Sequence, residues 1–272
     1  MRSPSRVATA VKRPDGSIAV TARPYVSYTR RRRLLGLPLV RGAVVLIESL
    51  TLGMQALGFS AEESIRAETD AKPEKKGAER WAVGGVMALS FVLGIGLFFY
   101  LPLFLTELTG ARNGIVFNLI DGVIRVAILV AYLFMLTRIK DMRRVFQYHG
   151  AEHKSIHAYE AGEDLIPANA QKYSTAHPRC GTNFLFLVMF SSIFVFILFG
   201  RPDTVAERVG RFLLVPVIGG ISYELLRLAG KRTDVAAVRL MALPGMWLQR
   251  MTTQEPDDDQ VEVALRALRA VL

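Results

Sequence analysis

Cysteine is nearly absent from this chain of 272 residues, and histidine is scarce: there are one cysteine and four histidines. A single cysteine excludes an intramolecular disulfide and is typical of a protein in a reducing compartment. The N-terminus also lacks the apolar core of a secretory signal, because Met1-Arg-Ser-Pro4 leads into a polar segment. Internal repeats and low-complexity tracts are not evident either. Any membrane insertion must therefore rely on internal segments.

Apolar residues are concentrated in four long runs that contain few charged residues. Hydrophobic residues make up 51% of the chain, and the mean hydropathy is +0.29. Each run approaches or exceeds the roughly 20 residues that a helix needs to cross a bilayer. Buried helices of a large soluble protein are the alternative, but Trp81–Leu105 and Thr182–Gly200 carry too little charge for it. The runs cover about 81–107, 114–137, 182–200 and 211–229.

Positive charge is concentrated at the N-terminus. The net charge is +10, and residues 1–40 hold nine Arg and Lys, including Arg30 to Arg33, against one acid, Asp15. A nucleic acid could neutralise this cluster, but beside so much apolar sequence anionic lipid headgroups are the simpler partner. We expect a multi-pass protein of the bacterial cytoplasmic membrane with both termini cytoplasmic and no nucleic-acid partner. A homo-oligomer or a membrane protein complex is the further partner to test.

Residues 39–59 form an apolar helix with one narrow polar stripe, since Arg41, Glu48 and Gln55 recur every seven residues. We predict that this helix lies in the interface, re-enters the membrane or packs on the bundle, and does not span. If it spanned, the basic stretch Arg138–Arg144 would lie outside the cell, against the positive-inside rule.

The two ends of the chain carry turn and capping signals. Asp15-Gly16 is a strong two-residue hairpin turn between the short β-prone arms of residues 6–23. A lone hairpin is marginal in water, so we expect it to pair with another strand or to pack on helices. Asp257 to Asp259 open a final helix, whose apolar face should pack on the rest of the protein.

The predicted fold class is mostly α. It is a polytopic helical membrane protein with about four transmembrane helices, an interfacial or re-entrant helix and a small N-terminal β-hairpin. Six segments follow along the chain: a basic cytoplasmic segment with the hairpin (1–38), the interfacial or re-entrant helix and a polar connector (39–80), the first transmembrane pair (81–137), a cytoplasmic His/Cys loop (138–181), the second transmembrane pair (182–230) and a cytoplasmic C-terminal segment with a packed helix (231–272). The short links Leu108–Asn113 and Arg201–Gly210 should be external.

The second apolar run contains two opposite charges, Asp121 and Arg125. At i, i+4 they can pair on one helical face, and Asn118 lies one turn before them. Intramembrane charges are costly and often functional, but a transport path would need more of them, so we favour a structural pair. Glycines in the first and fourth runs should permit close helix packing: Gly84, Gly85, Gly94, Gly96, Gly219 and Gly220.

All four histidines and the cysteine lie in one window between two apolar runs. Imidazole and thiolate are the side chains that bind zinc and similar metals best. If residues 145–160 form a helix that continues the second span, three histidines and two glutamates share one face. His149 and His157 are then ~12 Å apart along the axis, so one ion takes only one neighbouring pair. The candidates are His149 or His157 with His153, together with His177 and Cys180.

His149-x-x-Glu152-His153 also matches the inverted zincin pattern H-x-x-E-H. In that pattern the two imidazoles hold zinc and Glu152 activates water as a general base. The five-residue pattern is weak alone and stronger inside a complete histidine cluster. A third ligand is needed, and Glu224 is a candidate whose alternative role is an ion pair with Arg227 or Arg125. The cluster predicts zinc or another divalent metal that is catalytic or only staples the loop, and a hydrogen-bonded network without metal is the third interpretation.

Three blocks read Tyr148-His-Gly-Ala-Glu-His-Lys154, His177-Pro-Arg-Cys-Gly-Thr182 and Pro244-Gly-Met-Trp-Leu-Gln-Arg-Met-Thr-Thr253. Together they resemble the signature of the bacterial YqhQ-like family, as do Arg41-Gly42 and Glu48-Ser49. The resemblance covers nearly the whole chain. It implies a membrane protein of a family whose members are labelled predicted metal-dependent enzymes, with no established substrate.

These observations favour a membrane-embedded metal-dependent hydrolase, with a protease as one form of it. In this hypothesis His149 and His153 are ligands, Glu152 is the base, and His177, Cys180 or Glu224 completes the coordination. The alternative is a non-catalytic, metal-stapled scaffold that docks on another membrane complex in an assembly or chaperone role. An open coordination position favours the enzyme, and four protein ligands favour the scaffold.

Overall fold

The computed structural model describes residues 1–68, 76–178, 180–231 and 235–272. It is mostly helical, with a small two-stranded antiparallel sheet near the N-terminus, which confirms the predicted fold class. The described residues include five helices long and apolar enough to cross a membrane. The chain is therefore a membrane protein. The five helices are Val40–Ser64, Gly84–Leu108, Gly114–Thr137, Gly181–Phe199 and Val205–Gly230.

The elements follow one another along the chain with short connections. They are β1 (Arg6–Lys12), β2 (Ile18–Pro24), α1 (Tyr28–Arg31), a 3-10 turn (Arg33–Gly36), α2 (Val40–Glu68), α3 (Lys76–Ile95), a π turn (Gly96–Tyr100), α4 (Leu101–Leu108), α5 (Gly114–Thr137), α6 (Lys140–Glu160), α7 (Pro167–Ala170), α8 (Gly181–Phe199), α9 (Val205–Leu213), α10 (Val215–Lys231), α11 (Ala236–Thr252) and α12 (Asp258–Arg269).

The predicted hairpin is present, but its loop is longer than a two-residue turn. The Gly16 N–H donates to the Arg13 carbonyl at 3.0 Å, and the Arg13 N–H donates to the Ser17 carbonyl at 2.8 Å. Pro14 suits the second position of such a turn because its ring fixes φ. Gly16 has a φ of 85°, the left-handed conformation that returns the chain to β2.

The hairpin packs on the helical part of the protein, as the sequence predicts. Ala8 of β1 lies in a buried cluster with Leu268 and Val271 at the end of the chain. The Lys12 ammonium donates to Asp259 at 2.5 Å. The N-terminal and C-terminal segments therefore form one unit.

The other side of the hairpin covers the polar stripe of α2. Glu48 is buried and accepts from Arg2 at 3.2 Å. About two turns further along α2, Gln55 accepts from Arg23, and about four turns further along, the buried Glu63 accepts from Arg13. The opposite, exposed face of α2 is apolar and carries Ile47, Leu50, Met54 and Leu57.

The glycines of the fourth span permit close helix packing, as predicted, whereas those of the first span do not lie at a close contact with the described residues. A Cβ on Gly220 of α10 would lie 2.5 Å from the Leu39 carbonyl oxygen, and one on Gly42 would lie 2.7 Å from the Gly220 Cα. By contrast, nothing described lies within 4 Å of a Cβ placed on Gly84, Gly85, Gly94 or Gly96.

Pro102 interrupts the helical hydrogen bonding of the first span, and a charged side chain of the second span binds the carbonyl that is left without a partner. Pro102 has no N–H, so the carbonyl of Phe98 four residues earlier loses its helical partner, and the helix forms a π turn here. The Arg125 guanidinium donates to that carbonyl at 2.8 Å. It also forms the predicted i, i+4 ion pair with Asp121 at 2.7 Å.

The structure differs from the prediction at the start of the fourth span and in the length of the polar connector. The fourth span begins with α9 at Val205 rather than near 211, because Thr204 and Glu207 form a capping box that starts the helix early. The polar connector predicted for 60–80 is shorter, since α2 continues to Glu68 and α3 begins at Lys76. Residues 69–75 lie outside the described residues.

The helix that carries the histidines does not continue the second span. α5 ends at Thr137, and Ile139 is extended, with a ψ of 123°, before α6 begins at Lys140. α6 thereby takes its own direction and packs through Ala151 and Ala158 against α12.

The close approach at Gly220 gives a test of how α2 packs on α10. We expect Gly220→Ala to lower the free energy of unfolding by about 1–3 kcal/mol, because the new methyl overlaps the Leu39 backbone. Gly84→Ala, which meets nothing within 4 Å, is the matched control and should be neutral or slightly stabilising. The measurement is thermal unfolding in detergent. Equal melting temperatures for the two variants would contradict the packing.

Candidate metal centre

The three histidines of α6 lie on one face, and the loop after α6 brings the fourth to them. The ring centroids of His149 and His153 are 4.5 Å apart. The His177 ring lies 5.7 Å from that of His153 and 4.7 Å from that of His157. The sequence window therefore becomes one continuous row of imidazoles.

One part of this row has the donor set of a transition-metal site. His149, His153 and Cys180 each offer one ligand atom, and these atoms all lie within 4.8 Å of one another. We call these residues the first ligand group. The Cys180 sulfur lies 3.2 Å from Nε2 of His149 and caps the N-terminus of α8. Thiolate with two imidazoles is a ligand set that suits zinc.

Backbone carbonyls fix the tautomers of both imidazoles in the first ligand group. Nδ1 of His149 lies 2.8 Å from the Thr252 carbonyl oxygen, and Nδ1 of His153 lies 2.5 Å from that of Thr175. A carbonyl oxygen only accepts, so each Nδ1 carries the hydrogen and each Nε2 keeps its lone pair. Metal-binding histidines usually have this second hydrogen bond, which orients the ring. The residues present therefore fit a metal ion.

The electrostatics of the first ligand group favour a thiolate. Burial raises the pKa of Cys180, but hydrogen bonds from His149 and His153 outweigh it and lower the pKa to about 5. Burial lowers the pKa of His149, yet the hydrogen bond and charge of Cys180 leave that pKa raised. Without metal, the shifts in the two pKa values both favour the charged forms of Cys180 and His149 over the neutral ones.

A second set of ligand atoms lies directly beside the first. His157, Glu160 and His177 each offer one atom, again all within 4.8 Å of one another, and we call them the second ligand group. Nε2 of His157 lies 3.0 Å from the Ala176 carbonyl, which leaves Nδ1 as the ligand atom. Nε2 of His177 lies 3.5 Å from a Glu160 oxygen.

α11 holds the loop that carries two of the ligands. The Gln249 side chain is fully buried, accepts from the His177 N–H at 2.8 Å and donates to the His177 carbonyl at 2.9 Å. It also donates to the Asn183 side chain at 3.0 Å, and Asn183 in turn donates to the Pro178 carbonyl at 2.7 Å. The backbone around His177 and Cys180 is therefore fixed from two helices.

Sequence reasoning did not find these supporting residues. Gln249, Thr252 and Thr175 have no chemical signature of their own, because they act through backbone carbonyls or on a backbone. The available signal was the block Pro244–Thr253, which attracted notice for its resemblance to a family and not for its chemistry.

Two of the sequence candidates lie outside both ligand groups of the described residues. Glu152 is half-buried on α6, and its charge contributes to the raised pKa of His149. Glu224 lies on α10, where both carboxylate oxygens accept hydrogen bonds from Arg41. Cys180, and not Glu224, lies with His149 and His153 in the first ligand group. The hydrogen-bond partner of Glu224 is Arg41 and not Arg227 or Arg125, the arginines that the sequence suggested.

Comparison with known proteins identifies similar chains. The model of a family described as "Protein of unknown function (DUF1385)" matches residues 37–272, which include both ligand groups. "Uncharacterized protein YqhQ" of Bacillus subtilis (strain 168) is 35% identical over 279 residues, which cover 97% of this chain and 86% of that protein. No solved structure matches.

The low pKa of Cys180 gives a test in the metal-free protein. We expect the ultraviolet absorbance of the thiolate to titrate with a midpoint near pH 5. Because the folded pKa lies below the ordinary value of about 8.5, stabilisation by the thiolate is complete above that pH and is lost as the pH falls toward 5. Cys180→Ser removes the only thiol and is the control. A midpoint at the ordinary value would contradict the pairing with His149.

Proposed function

We propose a function for this chain, which belongs to the DUF1385 family: it is a membrane-embedded, metal-dependent hydrolase. One observation carries the proposal, the convergence of the ligand atoms of His149, His153 and Cys180 within 4.8 Å of one another. No fourth His, Cys, Asp or Glu of the described residues joins this group. Three protein ligands leave one tetrahedral position for water or substrate, as in catalytic zinc sites, whereas structural zinc sites have four.

The residues around the site have distinct roles in this proposal. A zinc ion held there would act as a Lewis acid on water and on the bond to be broken. The carbonyls of Thr252 and Thr175 orient the two imidazoles through Nδ1. Glu152, directly before His153 on α6, is the carboxylate that accepts the proton of the attacking water. Peptide bonds at the membrane surface are the substrate class that the H-x-x-E-H pattern favours.

Burial of the ligands supports a second candidate function. His153 and Cys180 are only 4% and 5% exposed, so a metal here would be well shielded from solvent. In this case it staples α6 to the start of α8, and the surface serves as a docking site for another membrane complex. Glu152 then has no chemical role.

We further propose that the metal site and both termini lie in the cytoplasm. The N-terminal hairpin packs on α12, and α12 packs on α6, so both ends of the chain lie beside the histidines. The basic residues of the N-terminus and of Arg138–Arg144 then face the cytoplasm, as the positive-inside rule requires. The lipid partner is an anionic headgroup layer.

In this topology α2 lies along the membrane surface. The hairpin bonds to α2 from Glu48 to Glu63, a distance of about 22 Å along the helix. A charged hairpin cannot follow α2 through hydrocarbon without a large desolvation cost. The exposed apolar face around Ile47 and Leu57 instead suits the boundary between headgroups and acyl chains.

The first test is metal content combined with a glutamate substitution. We expect zinc in the detergent-purified protein and a lower zinc content per chain in Cys180→Ala, which removes a ligand of the first ligand group. Glu152→Gln should keep the zinc and lose at least about 100-fold in hydrolysis of a peptide library, because a general base contributes 10²–10⁴-fold. Hydrolysis unchanged by Glu152→Gln would exclude the catalytic role. Zinc without hydrolysis in either protein would favour the scaffold, and no metal after growth with added zinc would exclude both functions.

The topology is tested with single cysteines in a Cys180→Ser background and an impermeant maleimide on intact cells. Ser64→Cys, at the end of α2, should be protected from the reagent until the cells are opened, as should Ser5→Cys in the hairpin segment. Thr109→Cys, in an external link, should react at once and is the positive control. If Ser64→Cys reacts from outside while Ser5→Cys does not, α2 spans the membrane.

A further inference from the structure

We propose that the second ligand group, His157, Glu160 and His177, binds a second divalent cation, so that the metal centre is binuclear. The proposal deepens the proposed function, because it assigns the solvent-facing, substrate-binding position of the same centre. It stands on its own ligand atoms, which lie within 4.8 Å of one another without any contribution from Cys180.

The donor set is the first argument. Two imidazoles and one carboxylate occur both in catalytic zinc sites and in the iron sites of the facial-triad type, in each case with open positions. The Ala176 carbonyl fixes the His157 tautomer, just as carbonyls do in the first ligand group. The Glu160 carboxylate already lies against the His177 ring, at 3.5 Å.

The ordering of the rings is the second argument. The Tyr173 ring stacks on His157 at 6.0 Å between centroids, and the Tyr173 hydroxyl donates to Glu163 at 2.8 Å. Gln249 fixes the backbone of His177 from the other side. Both imidazoles are therefore held before a cation arrives, which lowers the entropic cost of binding.

The difference in exposure between the groups is the third argument. The Glu160 side chain is 35% exposed, whereas Cys180 in the first ligand group is 5% exposed. In the proposed centre, water and substrate reach the second position from the Glu160 side, because His177 is only 4% exposed. The His153 and His177 rings, 5.7 Å apart, form the boundary between the two positions. The thiolate position is then the more permanent one, and the carboxylate position is the one that meets substrate.

Cobalt(II) titration of the full-length, metal-depleted protein in detergent distinguishes the two positions. A thiolate gives cobalt an intense ultraviolet charge-transfer band, and imidazole and carboxylate do not. We expect the wild type to bind two cobalt ions per chain, with the band developing for one of them. Cys180→Ser should lose the band and keep one ion.

Substitutions in the second ligand group should have the opposite effect. Glu160→Gln and His157→Ala should each bind one ion, with the charge-transfer band at full strength, or bind the second at least 10-fold more weakly. Asp164→Asn, an exposed carboxylate in the same loop outside both groups, is the matched control and should bind two. Glu160→Gln keeps the shape of the side chain, so it serves if His157→Ala does not fold.

The remaining outcomes of the cobalt titration each overturn either the first ligand group or the second cation site. One ion with the full band in the wild type overturns the second cation and leaves the proposed function intact. One ion without the band, lost in Glu160→Gln, overturns the first ligand group and keeps the second. Two ions bound with the same affinities in the wild type and in Glu160→Gln would show that the second ion binds elsewhere and would overturn the assignment of these ligands.

Discussion

The hydrogen bonds of Gln249 with the backbone of His177 are the interaction on which both ligand groups depend. The Gln249 amide is fully buried and makes its bonds with His177 and Asn183. A buried amide without partners is expensive, so the loop has one stable position against α11. That position places His177 beside His157 and, three residues later, Cys180 beside His149. Moving this loop would separate the ligands of both groups at once.

Buried arginine side chains hold the membrane helices in fixed positions, and these helices support that loop. Arg125 joins three elements: it pairs with Asp121 on its own helix, donates to the carbonyl of Phe98 that lacks a helical partner, and lies over the ring of Phe196 on α8. Arg211 does the same nearer the other end of the bundle, bonding Asn118 at 2.9 Å and the Gly200 carbonyl at 2.8 Å. Breaking either set leaves an uncompensated charge in a medium of low dielectric constant, so α5 and α8 stay in register. The ligands rest at the ends of these two helices.

Hydrophobic periodicity and turn-forming residues were sufficient to predict much of the fold from the sequence. The apolar runs predicted the spans because their length is set by the bilayer, and Asp15-Gly16 predicted the hairpin because few residues adopt a positive φ. The histidine face of α6 followed from i, i+4 spacing alone. The Asp121–Arg125 pair followed for the same reason.

Features decided by tertiary partners were not predictable in this way. The break at Ile139 has no proline or glycine to mark it, and the partner of Glu224 is an arginine 183 residues away. The sequence predicted no role for Arg211, the first residue of the fourth apolar run, because its partners Asn118 and Gly200 lie 93 and 11 residues away. Where the sequence offered several ligands for one metal, only the position of the loop separates them into two groups.

The distance along the chain between the ligands and their supports has a consequence for synthesis at the ribosome. His149 precedes the carbonyl of Thr252 by 103 residues, and His177 precedes Gln249 by 72. α6 and α8 are therefore made while His149 and His177 still lack these partners. His149 waits for 103 further residues, and His177 for 72, before the orienting partner of each is synthesised. Only the last helices to emerge supply these partners, so the finished centre marks a chain that has been translated through α11.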